Sequence, residues 1–246
     1  MNRLNLKSLF FLIIIFLPET FSQEQNVLES GDFTFTFAGD SLDVSDSSGQ
    51  QIYSEKFQNP FGYLADLDSD GNDELLVRDS SFTLNNQIIY NLYIYNVLDT
   101  FYLAQKINSG TTQPYETDSG EIEGLIIITG NSDFSYLNEN SEFVSLPLNC
   151  WKFEEGEIYS VNNMIYDQFM NENNNILSTL DNILAGDKSN CDTIASVKSL
   201  IASAYINYLS AGENASASNF IGTYYPCGDA SRFKEEMDSI FQKENH

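Results

Sequence analysis

Histidine is nearly missing from this chain: the only one is His246, the last residue. A terminal side chain cannot hold a general base in place, so Ser/His/Asp and Cys/His triads have no credible member. Zinc centres of the usual Cys/His kinds fail too, because Cys150, Cys191 and Cys227 are far apart in sequence. No glycine-rich phosphate loop leads into a helix. Basic residues are also scarce, with 11 Lys and Arg against 36 Asp and Glu and a net charge of −25. Nucleic-acid binding needs clustered Lys and Arg, so this balance excludes the ordinary kind and disfavours anionic membrane surfaces. Three cysteines are too few to build a disulfide scaffold. In an oxidising compartment they allow one bridge and one thiol, with three possible pairings.

Apolar runs of membrane-spanning length are absent as well. The longest, "LFFLIIIFL" from Leu9 to Leu17, is too short to cross a bilayer comfortably. Arg3 and Lys7 precede it, Pro18 breaks it, and Thr20 and Ser22 supply small residues for cleavage before Gln23. This is the pattern of an export signal over residues 1–22. No cysteine follows the apolar core, which argues against a bacterial lipoprotein. Removing Arg3, Lys7 and Glu19 leaves 9 basic and 35 acidic residues, and 9 − 35 = −26. The expected location is periplasmic or secreted, with no membrane span after signal removal.

What the chain does have is alternation followed by helical periodicity, and the change falls near residue 161. "DFTFTF" sets Phe33, Phe35 and Phe37 on one face and Thr34 and Thr36 on the other. "SLDVSDSSGQQIYSEKF" reads as a hairpin turning at Asp46-Ser47-Ser48-Gly49. Further strands are expected at "ELLV", "IIYNLYIYN", "TFYLAQKI", "GLIIIT", "EFVSL" and "CWKFEEGEIYS". Beyond 161, four helices are predicted. The first carries Ile165, Phe169, Ile176 and Leu180 and ends at Gly186; the second begins near Asp192 and closes at Gly212. A third spans about 215–225, and a fourth, capped by Asp229, carries Phe233, Met237, Ile240 and Phe241. The expected fold is α+β: an antiparallel β-rich domain over 23–161, then an α-helical domain over 162–246. No tandem repeat is evident.

Against this background "ADLDSDGNDELLV" stands out, crowding Asp66, Asp68, Asp70, Asp73 and Glu74 together. Calcium takes six to eight oxygen ligands, and a loop supplies them from alternate residues. Asp66, Asp68 and Asp70 sit at positions one, three and five, and Gly71 permits the sharp turn at six. Asn72 offers its carbonyl at seven, and Glu74 completes the shell at nine. Asp73 falls between ligand positions and is expected to face solvent. An EF-hand is excluded because position twelve is Val77, where that loop needs Glu. The flanks "GYLA" and "ELLV" read as strands.

The stretch resembles the D-x-D-x-D-G-x-x-D/E-L calcium loop of FG-GAP and VCBS-type repeats, over about residues 62–78. That resemblance implies a calcium-bearing β-hairpin in an extracellular module. Such repeats usually come in several copies within propellers. Here the motif occurs once, Phe61-Gly62 lies too close to Asp66 for the usual FG element, and no GAP-like sequence follows. A single blade-like sheet closed by a helical domain is the expected architecture. The plain alternative is an acidic turn that only solubilises a hairpin.

Other candidates are weaker. Glu154, Glu155 and Glu157, or Asp118, Glu121 and Glu123, could form an acid/base pair, although so acidic a chain makes such pairs by chance. In "YNLYIYN", Tyr93 and Tyr95 share a face that could stack on a sugar or anchor a protein. The favoured reading has the helical layer covering that face, and Trp151 in the core. Asn214-Ala215-Ser216 matches a glycosylation sequon. Cys191 and Cys227 both fall at helix ends, so a bridge between them is expected, leaving Cys150 as a buried thiol.

The residues thus predict an exported, calcium-stabilised, non-enzymatic binding module, whose partner is a polysaccharide or an envelope or extracellular protein. The alternatives are a secreted hydrolase with an acidic pair, and a purely structural envelope domain.

Overall fold

The computed structural model describes residues 26–98, 100–141, 143–185 and 189–244. The expected leader and His246 lie outside the described residues. Strands come first and helices after. The strands form three antiparallel sheets, each of four strands. The first contains β1 (Asn26–Ser30), β2 (Phe33–Ala38), β3 (Ser41–Asp46) and β4 (Gln51–Lys56). The second contains β5 (Pro60–Ala65), β6 (Glu74–Phe82), β7 (Ile88–Asn96) and β8 (Tyr102–Gly110). The third contains β9 (Tyr115–Asp118), β10 (Leu125–Gly130), β11 (Leu148–Glu154) and β12 (Glu157–Ser160). Within each sheet the strands lie side by side in chain order.

The sheets stack face to face, and the side-chain pattern of each strand reports its place in the stack. In β2, Phe33, Phe35 and Phe37 are buried while Thr34, Thr36 and Ala38 are half-buried, so only one face of the first sheet is apolar. That face packs on Leu75, Val77, Tyr93 and Tyr95 of the second sheet. The second sheet is apolar on both sides. Its other face, Leu76, Leu92, Ile94 and Ile107, meets Ile127 and Phe153 of the third sheet. The third sheet is likewise two-sided, with Ile126, Ile128, Leu148 and Cys150 packed against Val161, Ile165 and Phe169. Strand-internal runs such as "ELLV" and "LIII" therefore lose their alternation because both faces leave water.

The helices cover the last face. They are α1 (Tyr166–Ile183), α2 (Cys191–Ser196), α3 (Lys198–Ser210), α4 (Asn214–Tyr224) and α5 (Ala230–Glu244). Helix α3 is buried nearly all round, packs against α1 and α4, and runs through the largest apolar cluster. Phe134 and Leu146, from the connection between β10 and β11, join that cluster, so the helical core reaches across residue 161.

Four expectations are corrected. Three blade-like sheets are present where one is expected, and they share a meander topology without a shared sequence motif. Strands β1 and β9 are additional to those expected. "EFVSL" forms no strand: a 3-10 segment, Ser132–Asn140, precedes it, and Ser141 and Phe143 are held instead by α3 through Ser199. The expected second helix is broken at Val197 into α2 and α3. The Ser196 carbonyl there accepts the Ser141 hydroxyl at 2.8 Å, and the Val197 N–H turns to Ile194 O at 3.1 Å. These two contacts mark the break, and the helix resumes at Lys198 with Ile201 N–H donating to Val197 O at 3.1 Å.

Candidate functional site

The acidic stretch is the connection between β5 and β6, whose pairing closes with Ala65 opposite Glu74. Inside it, carboxylates gather backbone N–H groups. Asp66 accepts from Asp70 N–H and from Gly71 N–H, each at 3.1 Å and on different oxygens. Asp70 Oδ1 accepts from Asn72 N–H at 2.7 Å. The chain turns sharply through Ser69 at φ 63° and Gly71 at φ 92°. The left-handed region suits glycine, and at Ser69 it is uncommon for a side-chain-bearing residue.

The result is convergence. Asp66, Asp68 and Asp70 can each offer a carboxylate oxygen with all three atoms within 4.8 Å of one another. Asp66 and Asp68 are half-buried and Asp70 is exposed. Asp73 is exposed and takes no part in the cluster. Asn72 is exposed, and its side-chain amide donates to Asp70 Oδ1 at 3.1 Å.

Glu74 is buried beneath the loop and accepts from the Leu67 N–H at 3.0 Å. Burial pushes its carboxyl up to about 7, and the charges of Asp68, Asp70 and Asp66 add to that. A carboxylate under three others is stable only when a proton or a cation neutralises part of the charge. The donor set is all oxygen and densely anionic, which suits a hard cation such as calcium. Of the five expected ligands, the structure groups the carboxylates of Asp66, Asp68 and Asp70, and Glu74 lies outside that cluster.

The loop is also anchored to the third sheet. Leu67 is fully buried between the second and third sheets, and its carbonyl accepts the Leu125 N–H at 3.0 Å. Gly124, at φ +79°, makes the approach possible, since a Cβ there would lie 2.8 Å from Leu67 O and 2.5 Å from Lys152 Nζ. Lys152 is itself buried, so a cationic side chain stands close behind the acidic loop. Nothing local in sequence links residues 67, 124 and 152.

The other candidate carboxylates have separate tasks. Glu121 accepts the Tyr166 and Asp167 N–H groups at 3.1 and 3.2 Å, capping α1 from a distant loop. Asp118 accepts Gly120 N–H at 2.8 Å, and Glu154 accepts Tyr159 Oη at 2.7 Å. Tyr93 and Tyr95 are buried, but the first sheet covers them and not the helical layer. Trp151 packs at the edge of the second core and donates to Thr129 Oγ1 at 2.8 Å. Asn214 is exposed at the start of α4.

Arg78 carries no signal in the sequence that would mark it. Its guanidinium lies 4.5 Å from the Tyr63 ring centre and 5.4 Å from that of Phe61, and Tyr63 Oη donates to Glu116. Pairing of Phe61 opposite Arg78 on β5 and β6 brings these groups together.

Cys191 and Cys227 form the disulfide pair, with sulfurs 2.17 Å and Cα atoms 5.8 Å apart. Cys150 is the free, buried cysteine, and burial pushes its thiol up to about 12. No protein-family model, curated protein or solved structure matches the chain.

Proposed function

We propose that the chain is an exported, calcium-stabilised binding module without catalytic activity of its own. The observation that carries the reading is the convergence of Asp66, Asp68 and Asp70, in a loop whose Leu67 N–H is held by a buried Glu74. On this reading calcium is held by those four carboxylates and the Asn72 carbonyl, as the resemblance to FG-GAP and VCBS-type loops implies. When bound, the ion supplies charge neutralisation and rigidity. Asp66 and Asp70 orient the loop backbone, and Leu67 ties it to the core.

The stack of four-stranded meanders supports the resemblance, because blades of that form are the units of propeller modules. Export is supported by the composition of residues 1–22 and by the Cys191–Cys227 pair. Among the described residues no helix is long and apolar enough to cross a membrane. The partner in this reading is an extracellular polysaccharide or an envelope protein.

Calorimetric titration of the purified chain with calcium tests the reading. One site per chain and a rise in melting temperature are expected, both lost in Asp68→Ala and Asp70→Ala. Saturation at a hundredfold excess over Kd stabilises by about 2.7 kcal/mol. Identical melting in calcium and in chelator, with no heat of binding, would overturn it.

A further inference from the structure

A cavity of about 590 Å³ lies at the far end of β6 from the acidic loop. It is bounded by the β6–β7 turn, the β8–β9 connection and the 3-10 segment Ser132–Asn140. Its volume falls within the roughly 300 to 1,000 Å³ of small-molecule sites. The lining includes Thr83, Asn85, Gln87, Thr111, Ser135 and Asn138, with Leu84, Ile89 and Tyr136 as the apolar part. None of these residues is ionisable near neutral pH, in a chain with 36 acidic residues and a net charge of −25. A surface so acidic elsewhere makes an uncharged cavity a selective feature.

The polar groups are also available. Among the described residues, the side chains of Asn85, Gln87 and Ser135 donate and accept no hydrogen bond. The turn satisfies its backbone without them, since Thr83 N–H donates to Gln87 O at 2.9 Å and Gln87 N–H to Thr83 Oγ1 at 3.1 Å. Tyr136 is 39% exposed, and its hydroxyl donates to Glu236 Oε1 at 2.7 Å. Leu84 in the lining is 103% exposed and Phe82 beside it 73%, so apolar surface continues outward from the cavity.

We infer that this cavity binds a neutral oligosaccharide, a step that rests on the binding-module reading and gives its ligand a class and a place. A sugar presents hydroxyls to amides and hydroxyls, and its C–H faces to an aromatic ring and aliphatic side chains. An anionic ligand would find no counter-charge in the lining, and a cationic one only Glu236, already engaged by the Tyr136 hydroxyl. A wholly apolar ligand would strip water from Asn85, Gln87 and Ser135 and leave them unpaired. A peptide would find only a two-residue edge to extend, Ile88 and Ile89 of β7, because β8 pairs with β7 from Tyr90 onward. Calcium and sugar are thus assigned to opposite ends of β6, the ion stiffening the strand whose far end shapes the cavity.

The test is saturation-transfer NMR and titration of the calcium-loaded chain with cello-, xylo-, malto-, manno- and chito-oligosaccharides. At least one series is expected to bind, with affinity reduced about tenfold by Tyr136→Ala and by Gln87→Ala and kept by Tyr136→Phe. Melting curves check that each variant folds, and Asn85→Ala in the exposed turn serves as a second binding probe. Failure of every neutral oligosaccharide to bind overturns the inference. Binding that is unchanged in Tyr136→Ala and Asn85→Ala does so too, placing the sugar elsewhere while leaving the binding-module reading intact. Cross-linking of a protein at Leu84 in place of a sugar would also overturn it. Loss of the calcium response in the same samples would defeat the calcium reading alone.

Discussion

The Leu67 N–H and the Glu74 carboxylate meet at 3.0 Å across the base of the acidic loop, and both residues are buried. This contact fastens the first half of the loop to the first residue of β6. It also keeps a carboxylate out of water beneath three more, so the loop's stability depends on what neutralises Glu74.

In chelator, melting temperature should fall as pH rises through the neutral range. Glu74 titrates near 7 in the folded chain against an ordinary 4.5, so the folded state holds its proton more tightly. Stability from that proton is complete below about 4.5 and is lost as pH climbs through about 7. Glu74→Gln should remove this slope, and saturating calcium should flatten it. A calcium-free profile that rises steadily across this window would contradict the burial argument.

Leu67→Ala should destabilise the chain by about 3 kcal/mol, the usual scale for emptying a fully buried leucine site. The same substitution should weaken calcium binding, because the Leu67 side chain seats the loop in the core between the second and third sheets. Chemical denaturation and calcium titration of one sample measure both effects. Full destabilisation with unaltered calcium affinity would show that the anchor does not shape the loop.

Reduction should loosen the helical layer. Cys191 and Cys227 are separated by 36 residues, and opening a loop of that length costs about 3 to 4 kcal/mol in the chain-entropy model. Non-reducing peptide mapping should recover these two cysteines in one linked peptide. A bridged peptide containing Cys150 would refute the pairing.

Cys150 should resist thiol reagents at pH 8 in the native chain and react fully once the chain is unfolded. Its pKa is pushed up to about 12 by burial, with a smaller contribution from Glu121. Both the thiolate fraction and access are therefore low. Rapid native labelling, followed over time, would show that the third sheet opens toward α1 more often than its packing suggests.

Several features are legible in the amino-acid sequence alone. The alternation in β2 identifies a one-sided sheet because Phe and Thr must separate when only one face is dry. The acidic spacing marks the loop, since alternate residues of a tight turn point the same way and here share one charge. The cysteine pairing follows from helix ends. Residues that act through nearest neighbours in the chain are readable in this way.

The number of sheets is not. A short apolar run such as "ELLV" fits an edge of one core or the middle of two, and its composition does not say which. Tyr93 and Tyr95 have the spacing of a covered face, yet only the stack shows that the first sheet covers them. The break at Val197 coincides with a contact from Ser141, 55 residues upstream of the Ser196 carbonyl it engages. The anchor of the acidic loop brings Leu67 beside Gly124 and Lys152, and Glu121 caps α1 across 45 residues. Local periodicity determined most of the elements and the acidic turn. Burial on a second face, and polar contacts between distant segments, were decided by packing alone, because desolvation and hydrogen bonding depend on what lies opposite in space.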